Sequence, residues 1–564
     1  MWFIRSLDRL DDEMRSIAAL VKEGWVKRAT WQVTTDCLLC AEVTFSAGGK
    51  LRDAQLLYPQ VFPYAPPRVI PKDGERWSSH QWPSGELCLQ FRAKTWSPEL
   101  TGADLLCSAR HLLDTEATTD GKGVPQRVPS APVSDGLMLL GEFWRFFIHD
   151  DVLAELNRRG VGTWKLKLYD TMVSESNVVI PSQMMAMDGS DAWKSPSVPE
   201  PFLDSYSTNG LIALVTPGDK VHKALTTDGL SAEQVWSAFT EEPFKGHQTV
   251  IGVLSDQVIA KYLSGESVRT ITQVPPDRQN RNPARNDSLT TKKVGIIGCG
   301  SMGSKVAASL ARSGVGKFVL IDGDILKDGN LVRHELDWSE VGAHKTVALK
   351  HRLQRIRPGV EVTLWRINLG HSSTEQLLRC MKQLSECDLL VEVTGDAQGF
   401  NYAGALAAEH NVPMVWGRVF AGGYGGLLAR SRPGLDPSPH EVRNLIHSWC
   451  NNPEFPDPPR AGEIDYSAEA DDQPAMIADD GDVMTISGML ARFAADTLRS
   501  AEQSDYPYSA YMVGLRKEWI FTEPYQTFPI DLGGPRQFTI ELTDSYLSAA
   551  KAQIAPAPFP RKAS

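Results

Sequence analysis

The run Val294-Gly-Ile-Ile-Gly298-Cys-Gly300-Ser-Met-Gly303 constrains the fold more than any other stretch of this chain. A short apolar strand breaks at three closely spaced glycines and passes into a helix predicted over Ser304 to Ser313. Glycine has no Cβ, so such a turn can bring backbone N–H groups against a phosphate or a ribose at the positive end of the helix. Phe318-Val-Leu-Ile-Asp322 then supplies a second strand with an acid at its end. This is the pattern of a parallel βαβ unit that holds a nucleotide. Up to this point a nicotinamide dehydrogenase satisfies it equally well.

The 564 residues imply three or four domains, at ~100 to 200 residues each. A formal charge of -11 argues against general nucleic-acid or acidic-membrane binding, which needs a cationic surface to replace counterions. No apolar run approaches the ~18 residues that span a bilayer. The N-terminus, Met1-Trp-Phe-Ile-Arg-Ser-Leu-Asp, turns acidic before a signal-type apolar core develops, so a cytoplasmic protein is expected. The eight cysteines are scattered and form no disulfide framework, which leaves thiols free for chemistry.

Three blocks emerge. In the first, Leu7, Leu10, Met14, Ile17 and Val21 recur at helical spacing, strands are predicted around Trp31 to Val33 and Ala41 to Phe45, and a helix at roughly Ala103 to Leu113 has Thr101 available as its cap. Tyr58 to Pro67 is too proline-rich for helix or central strand. The segments Ala117 to Gly136 and Pro275 to Asn286 read as linkers. Between them, Trp164 to Tyr169, Leu211 to Val215 and Val250 to Leu254 read as strands of an α/β spacer or docking domain without a chemical constellation.

The residues from Asp322 onward separate the alternatives. Asp322-Gly-Asp324-Ile-Leu-Lys-Asp-Gly-Asn330-Leu-Val-Arg333-His, with Gly342-Ala-His-Lys345, resembles in its internal spacings the adenylation domain shared by ubiquitin-activating enzymes and the bacterial sulfur-carrier adenylating enzymes of ThiF type. The resemblance covers roughly Lys292 to Leu532 and implies ATP and Mg2+. By it, Gly298, Gly300 and Gly303 form the nucleotide turn, Asp322 holds the ribose hydroxyls, Asn330, Arg333 and Lys345 contact the phosphates, and Asp396, after the strand Asp388-Leu-Leu-Val-Glu-Val-Thr, carries the metal. Elementary chemistry agrees: cations stabilise charge on a triphosphate, and a carboxylate at a strand end suits a hard cation.

In the first block, Gly85-Glu-Leu-Cys88 followed by Trp96-Ser97-Pro98, together with Tyr58, Pro59, Pro66 and Pro67, resembles the active-site strip of ubiquitin-conjugating enzymes over about residues 1 to 116. That makes Cys88 the expected thioester carrier. The family's His-Pro-Asn motif is missing, and His80 stands where ungapped counting puts the asparagine; an imidazole N–H can also donate to an oxyanion. Cys37 and Cys40 are expected to be structural, since Cys37-Leu-Leu-Cys40 has no second pair or histidine cluster beside it; Cys107, Cys299, Cys380 and Cys387, in predicted helices or turns of the cores, get the same reading.

The expected fold class is α/β multidomain. It comprises an α+β ubiquitin-conjugating-like domain (1–118), an α/β spacer (137–274), a Rossmann-like ThiF-type adenylation domain (287–550) and a flexible tail (551–564). The order of modules resembles the ligation enzyme of CBASS anti-phage operons. It implies activation of a protein C-terminus as an acyl-adenylate, transfer to a thiol and then to Cys88, and attachment to an amine on a target. The activated protein would be a cGAS-like nucleotidyltransferase or a ubiquitin-like protein. Cys450 is the only cysteine after Asp396 and is the expected intermediate nucleophile, on a mobile segment before the acidic, proline-rich stretch Glu454 to Asp482, whose carboxylates would raise its pKa. Such domains pair, so a homodimer is expected, with Arg281 or Arg285 as candidates to reach a partner's ATP. Two rivals remain: a small-molecule or sulfur-carrier adenylating enzyme, and a non-catalytic N-terminal binding module.

Overall fold

The computed structural model describes residues 1–535 apart from 73, 79, 83, 92–94, 118–135, 137–138, 174–175, 204–206, 256, 277–280, 371–372, 458–476 and 500–503. Much of the first predicted linker, part of the second, most of the acidic stretch after Cys450 and the C-terminal tail therefore lie outside the described residues. The chain divides into two compact units: Met1–Arg145 with 174–176 and 272–275, and the remainder.

The first unit carries an antiparallel meander of β1 (Val26–Val33), β2 (Leu39–Ala47), β3 (Lys50–Leu57) and β4 (Arg68–Pro71) in the order β1-β2-β3-β4. Along β2, Ala41, Val43, Phe45 and Ala47 are buried while Glu42, Thr44 and Ser46 are half-exposed, the alternation of a sheet with one covered face. The helix Gly102–Ala117 contributes Leu105, Leu106, Ala109, Leu112 and Leu113 to that core. At about 2 kcal/mol for each fully buried leucine, these side chains are a principal source of the unit's stability. The helix Leu7–Lys22 forms as expected, but its buried face is Glu13, Ile17 and Leu20, with Leu7 and Met14 exposed. The face is turned because a carboxylate is needed inside. Glu13 Oε2 accepts from Tyr58 Oη at 2.8 Å and from the Gly102 N–H at 2.7 Å, and the Arg9 guanidinium lies 3.0 Å from Oε1. Thr101 does not cap by accepting: its own N–H and hydroxyl donate to the Asp104 carboxylate at 2.7 and 2.9 Å.

The second unit holds two sheets. The short strand β5 (Trp144–Phe146) falls across the division between the units, and along the chain β6 (Thr163–Val173), β7 (Ser176–Met185), β8 (Trp193–Lys194), β9 (Ser207–Leu214), β10 (His247–Val253), β11 (Val258–Ser264) and β12 (Ser267–Gln273) follow it. The order β12-β11-β10-β9-β6-β7-β8 is mostly antiparallel; β9 and β10 pair in parallel, and the connection between them carries helices Lys220–Thr226 and Ala232–Phe239. Those helices bury Val235, Trp236 and Phe239 against Leu211, Ala213 and Val250.

The other sheet is built from β13 (Lys293–Ile297), β14 (Lys317–Ile321), β15 (Glu361–Trp365), β16 (Leu389–Glu392), β17 (Met414–Val419), β18 (Gly425–Ser431), β19 (Ala510–Gly514) and β20 (Thr527–Ile530), in the order β15-β14-β13-β16-β17-β18-β19-β20. The first five pair in parallel and the last three antiparallel. Both faces are covered. Val294, Ile296, Phe318, Leu320 and Val391 pack on one side with the helix Asp480–Arg499, while Ile297, Val319, Ile321, Leu390 and Met414 pack on the other. Near-continuous apolar strands follow from that double burial. Part of the second predicted linker is structured, since a 3-10 helix spans Ala284–Thr291 and buries Leu289.

Candidate active site

The chain leaves β13 toward β14 on one side and reaches β16 on the other, so the carboxyl ends of β13, β14 and β16 splay around a switch point, where open α/β sheets bind ligands. A cleft of about 340 Å³ lies there, lined among others by Gly298, Gly300, Asp322, Asp324, Lys345 and Asp396. Gly298 has φ +92, and a Cβ on it would stand 3.0 Å from the Thr394 backbone. At Gly303 a Cβ would stand 1.8 Å from the Gly298 carbonyl oxygen, so this glycine serves close packing of turn on helix and does not line the cleft. Gly300 caps the helix Ser301–Arg312 and faces open space.

Asp322 follows β14. Its Oδ2 accepts the Cys299 N–H and its Oδ1 the Asp324 N–H, both at 2.8 Å. Burial pushes its pKa up, partly offset by the Asp324 N–H and by Lys345. Lys345 opens the helix Lys345–Ile356, and its Nζ is 3.0 Å from Asp324 Oδ2. Asp396 is exposed and caps the helix Ala397–His410 through Oδ2, which accepts the Gly399 N–H at 2.7 Å. Behind it Glu392 is buried, and burial pushes its pKa up while its carboxylate accepts the Thr394 N–H at 2.9 Å. Five of the expected nucleotide residues, Gly298, Gly300, Asp322, Lys345 and Asp396, thus meet in one cleft. Asn330 and Arg333 are not among its lining: the Asn330 Oδ1 accepts the Lys327 N–H at 3.0 Å, and Arg333 reaches the Ala478 carbonyl at 3.5 Å. Asn368, Leu369 and Thr394 line the cleft too, but they come from separate strand ends and share no local pattern.

The set suits a Mg-nucleotide. A hard cation bound with a nucleotide takes one or two protein carboxylates and completes its shell with phosphate oxygens and water. Asp396, which lines the cleft, could supply that carboxylate, and the open Gly300 position leaves room for a phosphate at a helix N-terminus.

In the first unit, Gly85 at φ +91 turns a hairpin in which Gln81 bridges Leu87, and the Cys88 N–H donates to the His80 carbonyl at 2.7 Å. His80 and Cys88 are therefore backbone neighbours across the hairpin. The His80 side chain is directed toward helix Gly102–Ala117, with Nε2 4.0 Å from Glu116 Oε1. Cys88 is only 7% exposed. Trp96 Nε1 donates to the Pro63 carbonyl at 2.6 Å, which ties the strip to the proline-rich segment. Cys107 is exposed, contrary to its expected place in a core; Cys37 is exposed too, whereas Cys40, Cys299, Cys380 and Cys387 are buried. Burial pushes Cys380 and Cys387 up to about 12.

Cys450 ends the helix Pro439–Cys450, whose start carries a Ser438–Glu441 capping box, so it sits on a regular element. It is half-buried and, like Trp449, Phe420 and Trp519, packs against the apolar cluster on that face of the sheet. Burial raises its pKa; most of the acidic stretch expected to do so lies outside the described residues. Arg285 pairs with Asp505 at 3.8 Å.

Similarity to known proteins is decisive for one part of the chain. Residues 268–454 match the ThiF family. An uncharacterized protein of Sinorhizobium fredii, y4oA, is 32% identical over 206 residues, 32% of this chain and 35% of that one. The ATP-dependent ubiquitin transferase-like protein Cap2 of Enterobacter hormaechei is 36% identical over 129 residues, 23% of this chain and 21% of Cap2. The chain therefore spans about a third of y4oA and about a fifth of that Cap2. Among solved structures, E. coli MccB with AMPCPP and MccA aligns at a TM-score of 0.32 and 18% identity, covering 44% of this chain and 66% of MccB. The molecule is thus a mixed α/β multidomain chain with a Rossmann-like adenylation domain of ThiF type, and it resembles Cap2. No helix among the described residues is long and apolar enough to cross a membrane.

Proposed function

We propose that this chain activates the C-terminus of a protein with ATP and ligates it to an amine, through three parts at 1–118, 137–274 and 287–550. The observation that carries this reading is the convergence of Asp322, the glycine turn, Lys345 and Asp396 at one switch-point cleft. A free carboxylate has no leaving group, so its oxygen attacks the α-phosphorus, the bond to the β-phosphate oxygen breaks, and pyrophosphate leaves an acyl-adenylate. Asp322 receives the ribose hydroxyls, and Lys345 exchanges Asp324 for phosphate. Mg2+, held by Asp396, would draw charge from the phosphate oxygens.

A thiolate next displaces AMP from the acyl carbon, and we assign this to Cys450, with onward exchange to Cys88 and final attack by an amine on the Cys88 thioester. Burial keeps Cys450 protonated at neutral pH, so loading requires its proton to be removed on exposure. Resemblance to Cap2 and the Cys88 strip support a conjugating role for the first unit, with His80 a candidate donor to the oxyanion, and an anti-phage setting with a cGAS-like or ubiquitin-like substrate. Asn330 and Arg333 would swing to the phosphates when a nucleotide binds, and the chain would act as a homodimer in the cytoplasm. The test supplies ATP, labelled pyrophosphate and each protein encoded beside the gene in turn. Exchange of label into ATP with one of them, lost when its terminal carboxylate is amidated, is the expected result; exchange indifferent to amidation would overturn the reading.

A further inference from the structure

His334 follows Arg333 directly and is 8% exposed, and the nucleotide reading gives it no role. Both ring nitrogens are engaged: Nδ1 is 3.2 Å from the Leu336 nitrogen and Nε2 is 2.9 Å from the Cys299 carbonyl oxygen. The Leu336 N–H can only donate, so Nδ1 must accept. The ring proton therefore resides on Nε2 and is given to the Cys299 carbonyl, a tautomer set by the partners themselves. Burial is the main reason the imidazole is pushed down to about 4, with Lys345 and Lys305 acting in the same direction, so it is neutral at physiological pH.

Cys299 is the middle residue of the glycine turn. Its N–H is held by Asp322 and its carbonyl by His334, so the residue is anchored on both sides. A trans peptide is planar, with its C=O and N–H pointing in opposite directions. If the Cys299 carbonyl points inward to His334, the next N–H, that of Gly300, points outward. Gly300 lines the cleft, a Cβ there would meet nothing within 4 Å, and its N–H donates to no group among the described residues.

We propose that His334 is a positioning residue that fixes the Cys299–Gly300 peptide plane, so that the Gly300 N–H is aimed into the cleft as a donor to a nucleotide phosphate. The inference rests on the nucleotide reading of the cleft and names a determinant of phosphate recognition outside the cleft wall. Without the imidazole the Cys299 carbonyl loses its buried partner, the peptide is free to rotate, and the phosphate loses a preset donor.

The test uses the full chain and two probes, AMP and adenosine, which share base and ribose and differ in the phosphate. Titration calorimetry on His334→Leu should find AMP binding weakened about tenfold, the worth of one hydrogen bond to a charged group, with adenosine affinity unchanged. His334→Gln places an amide donor near the Nε2 position and should return AMP to within about twofold of the native value. His334→Asn is polar enough to be tolerated and too short to reach the Cys299 carbonyl, and it should give the same loss where the leucine variant does not fold. Equal loss of both probes, or no loss of AMP in the leucine and asparagine variants, would overturn the proposal. A native chain that binds neither probe would instead remove the nucleotide reading, and this inference with it.

Discussion

Asp396 caps a helix and is proposed to hold the metal, and a single substitution can separate the two. As an N-cap it stabilises the helix behind it by about 1 kcal/mol, and asparagine caps as well as aspartate. As a metal ligand it needs its charge. Asp396→Asn should therefore melt within a degree or two of the native protein yet lose pyrophosphate exchange, while Cys88→Ala should retain exchange. Exchange surviving in the asparagine variant would remove Asp396 from the metal site. The two thiols are separable in the same way. Cys88→Lys should turn a thiol-labile adduct into a stable isopeptide bond, and Cys450→Ala should still form the adenylate while leaving Cys88 unloaded. Normal loading of Cys88 in that variant would mean that the acyl group passes directly from the adenylate.

At the scale of elements, stability concentrates where polar groups are buried in company. The start of the helix Gly102–Ala117 is fixed by the Glu13 carboxylate, and a Cβ on Gly102 would stand 2.2 Å from the Tyr58 hydroxyl. Gly102→Ala should destabilise the first unit by about 2 to 4 kcal/mol through overpacking and a displaced hydrogen bond, read by denaturant unfolding of the whole chain with a first-unit probe such as Trp25. The helix Asp150–Arg159 in the second unit depends on charge instead. Glu155 is clamped by Arg158 at 2.6 Å and Arg159 at 2.7 Å, and hydrogen bonds from Arg158 bring its pKa from 4.5 down to about 2. A lowered carboxylate contributes stability that is present above its unfolded value and is lost as pH falls through the folded one. Acid titration between about pH 4.5 and 2 should therefore loosen this helix, and Glu155→Gln should flatten the profile in that window. An unchanged slope would mean that the clamp contributes nothing.

For the whole molecule, legibility tracked sequence locality. The glycine turn, the acid after β14 and the capping aspartate after β16 each combine a strand with its own exit, so their patterns lie within a few residues and could be read. Asn368 and Thr394 line the same cleft from exits that only sheet order brings together. The helix Asp480–Arg499 was obscured for another reason: its apolar face, Val483, Ile486, Leu490 and Phe493, begins directly after an acidic stretch that dominates composition. In the spacer, individual strands were readable, but their sheet order depends on pairings between strands distant in the chain, such as Trp164 with Ile212 and Ile212 with Ile251. Glu13 escaped because a charged residue on an apolar helix face ordinarily marks the solvent side.

The ion pair between Lys345 and Asp324 means that the cleft already contains an anion before any nucleotide arrives. On the proposed reading Asp324 is a placeholder, and polyphosphate binding would be a substitution of one anion for another on the same ammonium. The affinity gained at Lys345 is then only the difference between the two, and its dependence on ionic strength is shallower than for a bare cation, because salt weakens the displaced pair as well as the one that replaces it.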